Sequence, residues 1–171
     1  MLGSKEFIKL FSDKSYDYDL HEHQALFTVD DSNKFRGQIK GSHSKNLFLK
    51  NKKNKFFLIS CEEFTNINLK QFSKYLSLGN LSFAKEEHLI DLLGVKPGSV
   101  SPFALLNNIK NNIEFYLEEK LYNSEFVNFH PLRNTATITM KCSTFIEFMI
   151  ENNKKIHIFS SIEKMIIKTY G

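Results

Sequence analysis

The chain has no tryptophan, two cysteines, three prolines and seven glycines, and each shortage excludes something. Cys61 and Cys142 stand far apart, outside any Cys-x-x-Cys or His-x-x-x-His spacing that gathers metal ligands, so no metal site is expected. Two reduced thiols in a soluble cytoplasmic chain are the natural expectation. No apolar run approaches the length of a membrane span, and Met1 to Glu6 lacks the apolar stretch of a signal peptide, so no membrane partner is expected. There is no Gly-x-Gly-x-x-Gly, no Walker sequence and no Gly-x-Ser-x-Gly. Nucleotide-fold phosphate binding and a serine nucleophile elbow are therefore unsupported, and no cofactor is called for.

What the chain has in plenty is phenylalanine, 17 in 171 residues, within 42% hydrophobic residues overall. That supplies a ring-rich core for one domain spanning 1–171, large enough to need no disulfide staples. The formal charge of +4 is mildly basic. It permits a polyanionic partner without demanding one.

Periodicity gives a mixed α/β reading. Ser4 to Phe11 is a short amphipathic helix, and Tyr16 to His23 is a polar connector. Ala25 to Val29 has strand length, and Asp30-Asp31-Ser32 could cap a short helix. Leu47–Leu49 and Lys55–Ser60 are strands of a hairpin turned by Asn51 to Asn54. Asn68 to Ser77 and Lys85 to Leu93 are helices with Gly79 and Gly94 beyond their ends, separated by a short strand at Phe83-Ala84. Ile113–Leu117, Glu125–Phe129 and Thr135–Met140 are strands, Phe145–Ile150 lies on a final amphipathic helix, and Ile156–Phe159 is a closing strand. Hairpins mixed with crossovers imply one mixed sheet with surrounding helices. The acidic pairs Glu62-Glu63, Glu86-Glu87 and Glu118-Glu119 read as solvated faces or helix starts.

Three polar islands interrupt this pattern. Lys45 and Asn46 stand side by side before an apolar strand; a solvated lysine and a turn amide are the commoner fates of such residues. His130 sits between Phe129 and Pro131, and the proline biases it toward extended backbone. A half-buried histidine bonded to backbone is the plain alternative. His21 and His23 could share a strand face, but two ligands do not make a metal site. The loop Lys96 to Pro102 combines two prolines with Gly98, which suits either backbone contact with a ligand or an ordinary crossover.

In order, Gly41-Ser42-His43-Ser44-Lys45-Asn46-Leu47-Phe48-Leu49-Lys50, Leu81-Ser82-Phe83-Ala84, Leu92 to Phe103 and Val127 to Thr137 resemble the motifs of the YbaK/ProX family of aminoacyl-tRNA editing domains. The likeness runs from about Glu22 to the last helix and is greatest to the free-standing alanyl-tRNA(Pro) deacylases. It implies a YbaK-like fold and hydrolysis of the ester of mischarged Ala-tRNA(Pro) without a covalent protein nucleophile. The partners it implies are the alanine-bearing acceptor end of tRNA(Pro) and, transiently, prolyl-tRNA synthetase. It assigns Lys45, Asn46 and Gly98 to catalysis, with Lys45 holding a terminal phosphate or the ribose. His130, His43, Ser99, Val100, Pro102 and Phe129 would bind the substrate, and Lys45, Lys50, Lys52 and Lys53 the nucleic acid. Gln24 and Arg133 depart from the family's usual proline and threonine. The related Cys-tRNA(Pro) deacylase and a non-catalytic tRNA-binding or synthetase-associated module are the alternatives.

Overall fold

The structure is a computed structural model that describes residues 1–25, 37, 39–110 and 112–171. The strand expected at Ala25–Val29 and the cap expected at 30–32 fall, from residue 26 onward, outside the described residues.

Nine strands among the described residues form one mixed sheet. They are β1 (Asp19–Glu22), β2 (Ser42–Asn51), β3 (Phe56–Glu62), β4 (Leu81–Phe83), β5 (Ile113–Glu118), β6 (Phe126–Phe129), β7 (Ala136–Lys141), β8 (Ile156–Ser160) and β9 (Met165–Tyr170). Their order is β1-β7-β6-β2-β3-β5-β8-β9, with β4 also paired to β2. The pairs β2·β6, β3·β5 and β5·β8 are parallel and the rest antiparallel, which makes this the expected mixed α/β architecture.

Alternation along the strands divides the core between the two faces. Phe48, Leu58, Phe115, Leu117, Val127, Phe129, Ile138 and Ile158 point to one face. It is covered by α1 (Ser4–Asp13), α5 (Cys142–Glu151) and a 3₁₀ turn (Pro102–Asn107). Phe7 and Phe11, one helical turn apart, are fully buried; Phe7 meets Phe103 at 4.6 Å between centroids and Phe11 meets Phe148 at 4.5 Å. Such ring pairs contribute about 0.5–1.5 kcal/mol each beyond area burial. On the opposite face Leu49, Phe57, Ile59, Tyr116 and Phe159 pack against Phe72 of α2 (Leu69–Tyr75). Asn68 caps α2 by accepting the Gln71 N–H at 3.0 Å.

The β2–β3 hairpin is turned as its asparagines foretell. The Asn51 side-chain oxygen accepts the N–H groups of Lys53 and Lys55, both at 3.0 Å, and Asn54 takes φ +55°. The Lys85–Leu93 helix is α3 (Glu86–His88) continued by a wider π turn at Leu89–Leu93, with Gly94 at its C-cap.

Four expectations need correction. Tyr16 to His23 contains β1, whose polar residues pair with β7 because an edge strand needs backbone bonds more than an apolar sequence. Ile156–Phe159 does not close the sheet, since β9 pairs beyond it. A short helix, α4 (Glu119–Tyr122), follows β5 directly. Finally, Glu62 is buried rather than solvated, while Glu118, also buried, stands at a helix start, one of the two readings offered for it. Glu118 caps α4 through the Leu121 N–H at 3.4 Å, and Glu62 accepts from Lys120 Nζ at 2.8 Å.

Candidate functional site

The site begins at β2, the one strand with three strand partners among the described residues. Along one edge it pairs with β3 from Ser44 to Lys50. Along the other it pairs with β6 only at Ser42–His43 and with β4 only at Leu49–Asn51. The intervening residues 44–48 have no strand partner on that edge among the described residues, so the sheet is split at this point. Gly41 sets the strand's start: with φ +86° it passes so close to β6 that a Cβ would lie 2.5 Å from the Phe126 carbonyl oxygen.

Lys45 and Asn46 flank the split from opposite faces, because neighbours in a strand alternate. Lys45 lies on the face of Leu47 and Leu49, and its Nζ donates to the Thr65 carbonyl at 2.7 Å. Asn46 lies on the face of Phe48. Its Oδ1 accepts from the buried Ser60 hydroxyl at 2.6 Å, and its Nδ2 donates to Ser44 Oγ at 3.3 Å. Ser44 Oγ in turn donates to the Asn128 carbonyl at 2.8 Å. The amide thus belongs to a network tying β2 to β6 at the margin of the split.

The Lys45 face is polar toward β1. Register pairs His43 with Asn128, Asn128 with Thr139, and Thr137 with His21, which brings these side chains onto one surface. His21 and His23 do share that face. His23 Nε2 lies 2.9 Å from Thr137 Oγ1, and the His23 ring centroid lies 6.0 Å from that of His130.

His130 has a defined tautomer. Its Nδ1 lies 2.7 Å from the Ala136 carbonyl, which can only accept, so Nδ1 carries the hydrogen and Nε2 of the neutral ring is an acceptor. Burial pushes its pKa below the ordinary histidine value, and His23 pushes the same way; the Ala136 carbonyl opposes them. The ring is therefore held in its neutral form.

Gly98 takes φ +83° in a turn closed by Ser99 N–H donating to Lys96 O at 3.0 Å. A Cβ there would come no nearer than 3.6 Å to Asn134 Nδ2, so conformation rather than crowding requires glycine. The same contact sets the loop beside the segment that follows His130. Ser99, Ser101 and Pro102 are buried, and Val100 packs on the core.

Of the other expected residues, His43 shares the Lys45 face, while Phe129 and the hairpin lysines do not join it. Phe129 is inside the core, 4.7 Å from the Phe145 ring. His43 is half-buried on the polar face, and its carbonyl accepts from Glu63 N–H. Lys52 and Lys53 are exposed at the hairpin tip. At the usual strand rise that tip is about 23 Å from Lys45, so the fold does not gather these lysines with it.

Two features had little sequence signal. Arg133 reaches Glu22 Oε1 at 2.5 Å, Thr135 Oγ1 at 2.7 Å and Ser4 Oγ at 3.1 Å, clipping β1 and α1 to the His130 segment. It holds the Glu22 carboxyl below the usual carboxylate range. Across the strand pair from Lys45, Cys61 is fully buried with its thiol pushed up to about 11 by burial. Burial also raises Glu118, against bonds from backbone N–H groups. Burial pushes Glu62 up too, but the bonds from Lys120, Phe64 and Thr65 outweigh it, and its pKa falls.

Comparison with known proteins now bears on this geometry. The sequence pattern of the aminoacyl-tRNA editing domain matches residues 23–148. Prolyl-tRNA synthetase associated domain-containing protein 1 of Xenopus laevis is 37% identical over 133 residues, covering 75% of this chain and 79% of its own length. Prolyl-tRNA editing protein ProX of Acetoanaerobium sticklandii is 31% identical over 124 residues, covering 72% and 76%. A solved structure of a candidate trans-editing enzyme for prolyl tRNA synthetase aligns with a TM-score of 0.67 over 90% of this chain and 94% of its own, at 17% identity, and so shares the fold.

Proposed function

Since the chain belongs to the aminoacyl-tRNA editing domain family, we propose that it is a free-standing deacylase that hydrolyses the ester of Ala-tRNA(Pro). The observation that carries this reading is the match over residues 23–148, within which β2 carries Lys45 and His130 follows the end of β6, the strand that parts from β2 at the split.

An aminoacyl ester is already activated, so hydrolysis needs a positioned water and a stabilised oxyanion more than a protein nucleophile. Water adds to the ester carbonyl carbon, the bond to the ribose oxygen breaks, that oxygen takes a proton, and alanine leaves as the free amino acid. The cysteines support a mechanism without covalent catalysis. Burial pushes Cys61 up to about 11 and Cys142 up to about 12, so both are thiols rather than thiolates at neutral pH.

Lys45 serves as the cationic anchor for a phosphate or the ribose of the terminal nucleotide, leaving its present carbonyl partner on Thr65. Neutral His130 offers Nε2 as an acceptor for a ribose hydroxyl or the attacking water. The loop at Gly98 contributes backbone groups to the adenosine and the ester, and Asn46 holds the strand that carries Lys45. Selectivity comes from exclusion: alanine fits a small pocket, whereas a proline ring strains packed walls. Contact with prolyl-tRNA synthetase is transient.

The test is deacylation of labelled Ala-tRNA(Pro), Cys-tRNA(Pro) and Pro-tRNA(Pro) by the wild-type chain and by Lys45→Ala. Loss of alanine alone, reduced about 100-fold or more in the variant, is the expected result. Preferential loss of cysteine makes it a cysteinyl-tRNA(Pro) deacylase instead. Binding of tRNA without turnover makes it a non-catalytic module.

A further inference from the structure

Two rings near the split are well exposed: Phe64, 72%, beyond the end of β3, and Phe83, 63%, the one held within a strand, at the end of β4. A phenyl ring of that exposure is not remarkable on a mobile loop, but this one is held by a strand. Leu49, Lys50 and Asn51 of β2 pair with Phe83, Ser82 and Leu81, and the following Ala84 N–H donates to the Phe48 carbonyl at 2.9 Å. The backbone that presents the ring is therefore fixed to the strand that carries Lys45.

Register also fixes which way the ring faces. Partners across an antiparallel pair share a face, so Phe83 shares that of Leu49, and Leu49 shares that of Lys45 four residues earlier. The separation along β2 is about 13 Å at the usual rise. That is the reach of a few nucleotides of extended single strand. The exposed Lys85 follows two residues after Phe83, whereas Lys50, paired with Ser82, lies on the other face of the sheet. An exposed ring on a rigid strand, with Lys85 beside it and Lys45 farther along the same face, is a combination that binds unpaired nucleic acid, the ring stacking on a base and the lysines answering the phosphates.

We propose that Phe83 is a stacking platform for an unpaired base of the RNA 3′ tail, a few nucleotides inward of the terminal residue held at Lys45. This rests on the deacylase reading, which puts the terminal nucleotide at Lys45, and adds a site for the tail that precedes it. Stacking of this kind is tolerant of base identity, so Phe83 contributes affinity and registers the tail along β2 rather than selecting a sequence.

The absence of tryptophan makes the test direct, because Phe83→Trp introduces the chain's sole indole at the proposed platform. The probe is an RNA hairpin with the unpaired 3′ tail of a tRNA, compared with the same hairpin made blunt. Quenching of the indole fluorescence by the tailed hairpin and not by the blunt one is expected. In parallel, Phe83→Ala should raise the KM for Ala-tRNA(Pro) roughly 10-fold and lower kcat by less, with Phe83→Tyr restoring most of the loss. Tailed RNA that binds by anisotropy while the indole stays unquenched, or an unchanged KM in Phe83→Ala, overturns the platform and leaves the deacylase reading intact. A wild-type chain that neither deacylates nor binds the tailed hairpin overturns both. Circular dichroism controls for folding, which an exposed ring should not disturb.

Discussion

The Lys45 face of the sheet has two halves that share β2 but differ in chemistry. Toward β8 it carries Leu47, Leu49, Phe57, Ile59, Tyr116 and Phe159, with Phe72 of α2 set 4.9 Å from Phe159 and 5.3 Å from Tyr116. Toward β1 it carries Lys45, His43, Asn128, Thr139, Thr137, His21 of β1 and His23 just beyond it. The first half stabilises by burying apolar area, roughly 25 cal/mol per Å². The second gives up that gain, and its groups are kept in place by bonds such as Thr139 Oγ1 donating to Asn128 Oδ1 at 2.5 Å. A single strand can therefore serve stability and chemistry at once, because its residues change type halfway along.

The contrast breaks most visibly on the stability side. Phe11→Ala removes a fully buried ring touching Phe7, Phe103 and Phe148, and should cost about 3–5 kcal/mol in urea unfolding while the deacylation rate per folded molecule is retained. A cost below about 1 kcal/mol would mean that α1 is not part of the core. Asn46→Ala leaves the Ser60 hydroxyl without its acceptor, for a loss of about 1–3 kcal/mol. Because the amide also braces the Lys45 strand, kcat/KM should fall as well; an unchanged kcat/KM would restrict Asn46 to folding.

Acid sharpens the comparison next. His130 and His157 both have pKa values lowered by burial, so the unfolded chain binds protons that the folded one refuses. Their contribution is present above the ordinary histidine value near 6.5 and is lost as pH falls from there through the lower folded values. Unfolding midpoints should drop across that window, and His130→Gln should flatten the drop. The smallest effect is expected from Lys53→Ala at the distant hairpin tip: stability within about 0.5 kcal/mol of wild type, and at most a slightly shallower salt dependence of RNA binding.

Much of the fold is legible in the sequence because its core residues repeat with clear periods. The β2–β3 hairpin, α2 with Asn68 at its start, β5 to β7 and α5 all stand where apolar spacing places them. β1 was hidden because its backbone bonds, not its side chains, make it a strand. β9 was hidden because its residues are mostly exposed, so alternation has little apolar signal to show. For the site, the sequence shows Lys45 and Asn46 as neighbours, and only the strand's alternation separates them by a whole sheet. Arg133 shows how long-range pairing escapes inspection: its partners Glu22 and Ser4 lie more than a hundred residues away. The burial of Glu62 escapes for the same reason, since Lys120, which pairs with it, is brought near only by the fold.

Gly41 gives this strand its parity. It is pinned where no side chain fits against Phe126, so residues are counted from it in twos, and Lys45 falls on an even step. One residue inserted between Gly41 and Lys45 would turn the lysine to the Asn46 face, whereas two would return it to its own. Length variation in this stretch should therefore be tolerated, if at all, only by pairs.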